Sequence, residues 1–271
     1  MEPVKVLCIG GSDSSGGAGI QADLKAVSAC GCHGLSVITA VTAQNSHGVQ
    51  HIHPVPQKFI LAQLDSVLSD IGADAVKTGM LLTGGAVDSV VRKVEEYRLE
   101  KLVVDPVMIA KGGRSLMQGR AREALVKKLL PQTFVLTPNV PEAEVLAQCR
   151  IRTVAAMEKA AVVIHKLGAQ NVLIKGGHLQ GSKWLGAYDV LFDGDHCYKF
   201  SSPWIDTRDT HGTGCTYASA LASALAQGKN IIDAVWQAKD MVTAAIKNGL
   251  ILGKGYGSVN ILGKIITNRR G

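Results

Sequence analysis

Apolar residues fall into short runs that alternate with longer amphipathic stretches. Strand-like apolar runs are expected at residues 4–9, 34–43, 75–77, 101–105, 133–136 and 171–175. Between them, apolar positions recur at helical spacing in residues 20–29, 57–71, 86–97, 121–130 and 153–167. Strands that alternate with helices of this length predict a mostly parallel sheet with helices packed on both faces.

The pattern changes after residue 176. Two further apolar runs, at residues 187–192 and 196–200, flank the turn sequence Asp193-Gly194-Asp195, which is typical of a β-hairpin. Two helices are predicted after the hairpin, over residues 212–226 and 231–248.

Residues 49–56 are polar and contain Pro54 and Pro56, so they are expected to form an exposed edge or flap. Such a segment would cover a pocket or meet a second subunit. Because the sequence contains no linker, low-complexity tract or internal repeat, residues 1–271 are expected to form a single α/β domain.

The composition narrows the class of partner. Apolar residues make up 46% of the chain and aromatic residues 4%, which is typical of a core of aliphatic side chains around buried parallel strands. The net charge is +7, but only residues 264–270 form a basic cluster. Because no aromatic residues are interleaved with the basic ones, we expect no nucleic-acid partner, and a phosphate-rich small molecule fits the charge better.

The cysteine spacing and the hydropathy of the chain indicate the cellular compartment of the protein. None of the six cysteines has the spacing of a zinc or redox motif. No signal peptide precedes Val4, and no apolar run reaches the roughly 18 residues of a membrane span. We therefore expect a cytoplasmic protein with reduced thiols and no membrane partner.

A loop rich in glycine and serine, residues 10–19, lies between the first predicted strand and the first predicted helix. It lacks the lysine of a P-loop, and its glycine spacing does not match the dinucleotide-binding fingerprint. Two interpretations remain open. The loop is either a tight strand-to-helix turn or backbone that lies against a flat substrate at the carboxyl end of the strand.

The segment Asp209-Thr210-His211-Gly212-Thr213-Gly214-Cys215 opens an alanine-rich helix and is the strongest chemical signal in the chain. The amides of residues 212–215 are expected at the helix N-terminus, where the helix dipole favours an anion such as a transferring phosphoryl group. Cys215 lies in the first turn, which is expected to lower the thiol pKa and let it accept a proton. The alternative is a glycine-rich helix cap with an inert cysteine.

Four more polar residues follow predicted strands. Asp105, Asn139, Glu142 and Lys175 all lie at expected carboxyl ends and are predicted to converge on one rim of the sheet. Carboxylates suit Mg²⁺ held largely through water, and Lys175 is a candidate partner of nucleotide phosphates. Asn139 and Glu142 would alternatively only cap the next helix.

Seven ordered motifs between about residue 4 and about residue 257 resemble the hydroxymethylpyrimidine kinase / hydroxymethylpyrimidine-phosphate kinase family, within the ribokinase-like superfamily. The motifs are GSDSSGGAGIQADLKA (11–26), TAVTAQNSHGV (39–49), KTGML (77–81), DPVMIAKGG (105–113), LTPNVPEAEVL (136–146), IKGGH (174–178) and DTHGTGCT (209–216).

This resemblance implies a three-layer α/β fold with a mostly parallel central sheet of about eight strands, a small flap and a homodimer. It also implies two ATP-dependent phosphorylations with Mg²⁺. The first acts on 4-amino-5-hydroxymethyl-2-methylpyrimidine, and the second converts the resulting monophosphate to the diphosphate.

The resemblance also assigns roles to residues. Gln44 would hydrogen-bond the ring nitrogen and the amino group of the pyrimidine, and Cys215 stands where ribokinase itself carries an aspartate base. The ring would be framed by Gly11, Asp23, Thr42 and Met80. Mg·ATP would be organised by Asp105, Asn139 and Glu142, with Glu142 and Asp105 nearest the metal, and the nucleotide would also be bound by Lys175 and Thr210. The anion hole would be formed by Gly212, Thr213 and Gly214.

Two other functions are compatible with these residues. A pyridoxal kinase of the same branch would also phosphorylate a hydroxymethyl group on a six-membered ring. Gln44 favours the aminopyrimidine, because an amide both donates and accepts hydrogen bonds. A non-catalytic vitamin- or nucleotide-binding regulator is the other alternative, and the anion-hole motif argues against it.

Overall fold

A computed structural model of the chain describes residues 2–109, 115–117, 119–177, 179 and 186–263. The strands in chain order are β1 (Lys5–Asp13), β2 (His33–Asn45), β3 (Gly48–Pro54), β4 (Ala75–Thr78), β5 (Leu102–Val104), β6 (Val135–Leu136), β7 (Asn171–Lys175), β8 (Ala187–Phe192) and β9 (Cys197–Ser202). The helices are α1 (Gly19–Ala29), α2 (Gln57–Leu68), α3 (Gly84–Tyr97), α4 (Gly119–Ala124), α5 (Val140–Ala147), α6 (Val154–His165), α7 (Thr213–Ala226) and α8 (Ile231–Lys247). A π-helical turn (Leu125–Leu129) and a 3-10 turn (Leu130–Gln132) continue α4.

The strands form one sheet in the order β3-β2-β1-β4-β5-β6-β7-β8-β9. Six neighbouring strands, β2, β1, β4, β5, β6 and β7, run parallel. At one edge β3 pairs antiparallel with β2, and on the other side β8 pairs antiparallel with both β7 and the edge strand β9. The chain passes from β1 to β2 on one side and later returns to β4 on the other side of β1. A crevice at the carboxyl ends of the strands on either side of such a reversal is the usual ligand site of an open α/β sheet.

Both faces of the sheet are covered, which explains why the central strands are continuous apolar runs. In β1 the side chains of Leu7 and Ile9 point into one core, with α2 to α6. Val6 and Cys8 point into the opposite core, with α1, α7 and α8. Successive side chains of a strand alternate between the two faces of the sheet. A strand that is buried on both faces is therefore apolar at most of its positions.

The predicted fold class is confirmed, and the sheet has nine strands where about eight were expected. The additional strand is β3, which forms from the predicted flap and pairs with β2 at the sheet edge. Helix α5 was not predicted as an element, although a cap for a helix was foreseen at Asn139. The single domain stays a prediction, and the basic cluster at 264–270 lies outside the described residues. None of the helices described has the length and apolar character that crossing a bilayer requires.

Candidate active site

A cavity of about 700 Å³ lies at the carboxyl ends of the parallel strands. Its walls bring together the end of β1, the residues after β4, β5 and β7, and the N-terminus of α7. All predicted site residues border it: Gly11, Asp23, Thr42, Gln44, Met80, Asp105, Asn139, Glu142, Lys175, Thr210, Gly212, Thr213, Gly214 and Cys215. The predicted convergence of Asp105, Asn139, Glu142 and Lys175 on one rim of the sheet is confirmed, whereas the roles of all these residues toward ligands stay predictions.

Helix α7 begins with a turn that only glycine can make. Gly212 has a φ of 85°, and a side chain there would overlap the carbonyl group of Gly17. Thr213 is anchored because its hydroxyl donates to the carbonyl of Thr210 at 2.8 Å. Within the described part of the chain, the amides of Gly214 and Cys215 have no hydrogen-bond partner. Two N–H groups at the positive end of a 14-residue helix therefore remain free for an anion.

A buried ion pair lies beside these amides. The ammonium nitrogen of Lys175 is 2.7 Å from Oδ1 of Asp105. A methyl group added to Gly214 would lie 3.4 Å from Asp105 Oδ2 and 3.6 Å from Lys175 Nζ. Burial alone would lower the pKa of Lys175, but the carboxylates of Asp105 and Glu142 raise it, so this lysine stays an ammonium. The Lys175 ammonium, the Asp105 carboxylate paired with it and the helix amides thus face the same part of the cavity.

The capping interpretation of Asn139 and Glu142 is confirmed. The Asn139 side chain accepts from the Glu142 amide at 2.9 Å, and Glu142 Oε2 accepts from the Asn139 amide at 2.9 Å. Burial raises the pKa of Glu142 to about 7, the neighbouring Asp105 adds to the increase, and Lys175 opposes it. Glu142 therefore caps α5 and also shares its electrostatic environment with the Asp105–Lys175 pair.

Asp105 and Glu142 fit a hydrated magnesium ion. Carboxylate oxygens are hard ligands, and Mg²⁺ keeps several waters while it binds one or two carboxylates and substrate phosphates. Among the described residues, no group of three or more His, Cys, Asp or Glu side chains converges to form a complete metal cage. A site with two carboxylates is consistent with this mode of binding.

The predicted lowering of the Cys215 thiol pKa is wrong. The thiol retains some surface toward the cavity, yet it is buried enough that desolvation raises its pKa to about 11. The positive charge of Lys77 lowers this pKa, whereas Asp23 and Asp105 raise it further. Burial and two carboxylates outweigh Lys77 and the hydrogen bond from the Gly19 amide, so Cys215 is a neutral thiol at neutral pH.

Asp23 lies in the floor of the cavity, where it is fully buried. Its oxygens accept from the ammonium of Lys77 at 2.8 and 2.9 Å and from the Ser219 hydroxyl at 2.8 Å. Asp23 was predicted to frame the ring, and that role stays a prediction. Its present contacts show that it balances the charge of Lys77, a fully buried lysine that sequence reasoning quoted in a motif but gave no function.

Asp13 organises the glycine-rich loop. Its carboxylate accepts from the amide and hydroxyl of Ser15 and from the amide of Ala18. It also lies 2.9 Å from Nε2 of His211. Burial alone would raise the pKa of Asp13, but the hydrogen bonds from His211, Ser15 and Ala18 lower it. The loop is thus a compact turn that also forms a wall of the cavity, and the contact of its backbone with a flat substrate stays a prediction.

The end of the cavity near β2 is built from the predicted ring-binding residues. The Thr42 hydroxyl donates to the Ser12 carbonyl at 2.9 Å, and a side chain at Gly11 would overlap Met80. The Gln44 amide lies 3.2 Å from Nε2 of His211. Sequence reasoning missed the pairing of Asp13 with His211, although both residues lie in motifs that it quoted. Residues 110–113 and His178, which belong to two further motifs, lie outside the described residues.

The parallel sheet with its reversal at β1, and the free helix amides beside a lysine–carboxylate pair, together indicate a phosphotransferase of the ribokinase-like class. A family model described as phosphomethylpyrimidine kinase matches residues 13–260. The chain belongs to this family, and the resemblance seen in its motifs is confirmed.

Relatives share both sequence and structure with the chain. The thiamine biosynthesis bifunctional protein ThiED of Geobacter sulfurreducens is 50% identical over 94% of this chain, which spans about half (51%) of that longer protein. The hydroxymethylpyrimidine/phosphomethylpyrimidine kinase of Bacillus subtilis is 45% identical, covering 96% of this chain and 95% of the relative. The crystal structure of an ADP complex of Bacillus subtilis pyridoxal kinase superposes with a TM-score of 0.90 at 38% identity, covering 98% of this chain and 100% of that one.

Proposed function

We propose that the protein transfers the terminal phosphate of ATP to the hydroxymethyl group of 4-amino-5-hydroxymethyl-2-methylpyrimidine, and then phosphorylates the resulting monophosphate. The observation that carries the proposal is one cavity that is lined both by Gln44 and by the free amides of Gly214 and Cys215 beside Lys175. The family and the printed names of the relatives support the same reaction.

The ring would bind at the Gln44 end. Its amide offers one donor and one acceptor, which match a ring nitrogen and the exocyclic amine beside it. Gly11 and Met80 contribute apolar surface to the cavity, and Thr42 borders it near β2. An aromatic ring would pack its face against such apolar surface.

The phosphates would bind at the other end. Lys175 neutralises phosphate oxygens as a point charge, Asn139 and Thr210 border the same space, and the amides of Gly214 and Cys215 point at the group in transfer. In phosphoryl transfer, charge is spread over the peripheral oxygens of the transition state, and fixed donors stabilise that charge without reorganising. Mg²⁺ at Asp105 and Glu142 would supply further charge neutralisation.

The hydroxyl proton must leave as the new phosphate ester forms. With a pKa of about 11, Cys215 is a thiolate in only about one molecule in 10⁴ at pH 7, so the thiol must lose its own proton before it can act as a base. We propose that Cys215 releases that proton to solvent when the substrate binds, with the ammonium of Lys77 as the charge that favours the thiolate, and that the thiolate then accepts the hydroxyl proton.

The test is a kinetic comparison of three alcohols or phosphates with Mg·ATP: the hydroxymethylpyrimidine, its monophosphate and pyridoxal. We expect turnover of both pyrimidines, with a higher kcat/KM than for pyridoxal. Turnover of pyridoxal alone would replace the proposal with its second candidate. Absence of any alcohol-dependent ATP consumption would indicate a regulator.

The second candidate is a pyridoxal kinase, favoured by the close superposition on the Bacillus subtilis pyridoxal kinase. Pyridoxal carries no exocyclic amine, so a cavity selective for it has no use for the Gln44 amide. Gln44 is therefore the residue that favours the pyrimidine, with pyridoxal as a side substrate.

Assembly and location stay proposals. A homodimer is supported by the exposed edge strand β3 and by Val41 on the adjacent strand, which is 49% exposed. The cytoplasmic location follows from the sequence argument alone.

A further inference from the structure

Three side chains next to the ring-binding end are joined by short polar contacts. His211 Nε2 lies 2.9 Å from Asp13 Oδ2 and 3.2 Å from the Gln44 amide nitrogen. Asp13 is 3% exposed and the His211 side chain is 12% exposed, so both are largely shielded from water. A histidine nitrogen in such a position must satisfy both neighbours with a single proton or a single lone pair.

The contact with Asp13 shows whether Nε2 of His211 carries a proton or a lone pair. The Asp13 carboxylate has only acceptor atoms and also accepts from Ser15 and Ala18, so Nε2 of His211 must donate to it. A nitrogen that donates cannot also accept from the Gln44 amide nitrogen. The contact with Gln44 is favourable only if its amide oxygen, rather than its nitrogen, faces His211. The two ends of an amide are assigned from such networks, because their shapes are alike.

The contact between Thr42 and Gln44 independently indicates the same orientation of the Gln44 amide. Its hydroxyl hydrogen is donated to the Ser12 carbonyl at 2.9 Å, so the hydroxyl oxygen can only accept from Gln44. The Gln44 atom nearest to it, at 3.4 Å, must therefore be the amide nitrogen. Both contacts are satisfied together when Oε1 faces His211 and Nε2 faces Thr42. One N–H and one oxygen lone pair of Gln44 then remain for a ligand, in a fixed order.

We propose that the Asp13–His211 pair fixes the orientation of the Gln44 amide and so determines the preference for an aminopyrimidine. The inference rests on the proposed function, because it takes Gln44 as the group that recognises the ring. An aminopyrimidine edge has an acceptor next to a donor, and a reversed amide would set donor against donor. Pyridoxal lacks the amine, so it does not present this adjacent acceptor and donor and should depend less on the order. His211 and Asp13 are thus positioning residues that act through Gln44.

The kinetic test is a double-mutant cycle with Gln44→Ala, His211→Leu and the double variant, measured with both the hydroxymethylpyrimidine and pyridoxal. We expect His211→Leu to raise KM for the pyrimidine roughly three- to tenfold, the effect of one lost hydrogen bond, with kcat and the pyridoxal KM changed less than about twofold. In the Gln44→Ala background the same substitution should have no further effect. The matched control is His33→Leu, at an exposed histidine where β2 begins.

An equal penalty of His211→Leu with and without Gln44, or an equal penalty for both substrates, would overturn the inference. A wild-type protein that does not use the pyrimidine at all would instead overturn the proposed function. The orientation itself can be tested without any substrate or variant, by ¹⁵N NMR of the imidazole of His211 in the intact protein. We expect Nε2 to carry a proton; a tautomer protonated only at Nδ1 would refute the proposal even if the protein is an active pyrimidine kinase.

Discussion

Replacement of Gly214 by alanine separates catalysis from stability. The added methyl group would lie 3.4 Å from Asp105 Oδ2 and 3.6 Å from Lys175 Nζ, which are ordinary contact distances, so the protein itself accommodates it. The methyl group would occupy the space in which a phosphoryl group meets the free amides of α7. Loss of one such donor typically lowers kcat by about 10²–10³. Alanine in place of glycine in the first turn of a helix should also stabilise the fold by roughly 0.5–1 kcal/mol.

The assay combines initial rates with saturating Mg·ATP and urea denaturation of the same variant. The control is Gly119→Ala at the start of α4, where a methyl group meets no described atom within 4 Å; it should share the gain in stability and keep full activity. A Gly214→Ala variant with wild-type kcat would refute the placement of the phosphoryl group at α7. A variant that loses both activity and stability would show that the contact distances do not hold.

Three further substitutions test neighbouring groups. Cys215→Ala should lower kcat by about 10²–10⁴ and change the substrate KM little, if the thiol acts on the proton in the transition state; equal losses of binding and rate would indicate a structural cysteine. Gln44→Met should weaken use of the pyrimidine and retain or improve use of pyridoxal. An unchanged substrate preference would remove the main reason to favour the pyrimidine over pyridoxal as the substrate. Lys77→Met leaves Asp23 buried without its counter-charge and should destabilise the fold by about 3–5 kcal/mol in urea denaturation; a stability equal to wild type would contradict the buried ion pair.

The sequence predicted the parallel core well because the strands there are buried on both faces. Residues 171–175 are an example: this strand is buried on both faces, so its apolar positions follow one another and are easily recognised in the sequence. The edge strand β3 was expected only as a flap, since His51 and His53 are exposed and Pro54 ends the strand. An edge strand needs backbone pairing with one neighbour and no apolar face, so its side chains carry little signal. Helix α5 is only eight residues long, too short for a reliable apolar period.

Site residues that lie at strand ends could be predicted from the sequence, whereas contacts between segments far apart in the sequence could not. Asp105 and Lys175 follow strands, and the carboxyl ends of parallel strands meet at one edge, so their convergence could be expected. Asp13 and His211 are 198 residues apart in sequence, and Lys77 and Asp23 are 54 apart. No periodicity or spacing relates such residues. Only the packing of α1 and α7 against β1 and β4 brings them together.

Cys215 shows how a correct local rule is outweighed by its surroundings. A helix N-terminus favours a nearby negative charge by about 0.3–1 kcal/mol in an exposed setting. The increase of the Cys215 pKa from 9.0 to about 11 corresponds to about 3 kcal/mol against the thiolate, so burial beside Asp23 and Asp105 is the larger effect. A base at this position must therefore gain its charge from a change in those surroundings. Lys77 lowers the pKa of Cys215 but is paired with Asp23, so the proposed thiolate requires that substrate binding shift the balance between Lys77 and the carboxylates of Asp23 and Asp105.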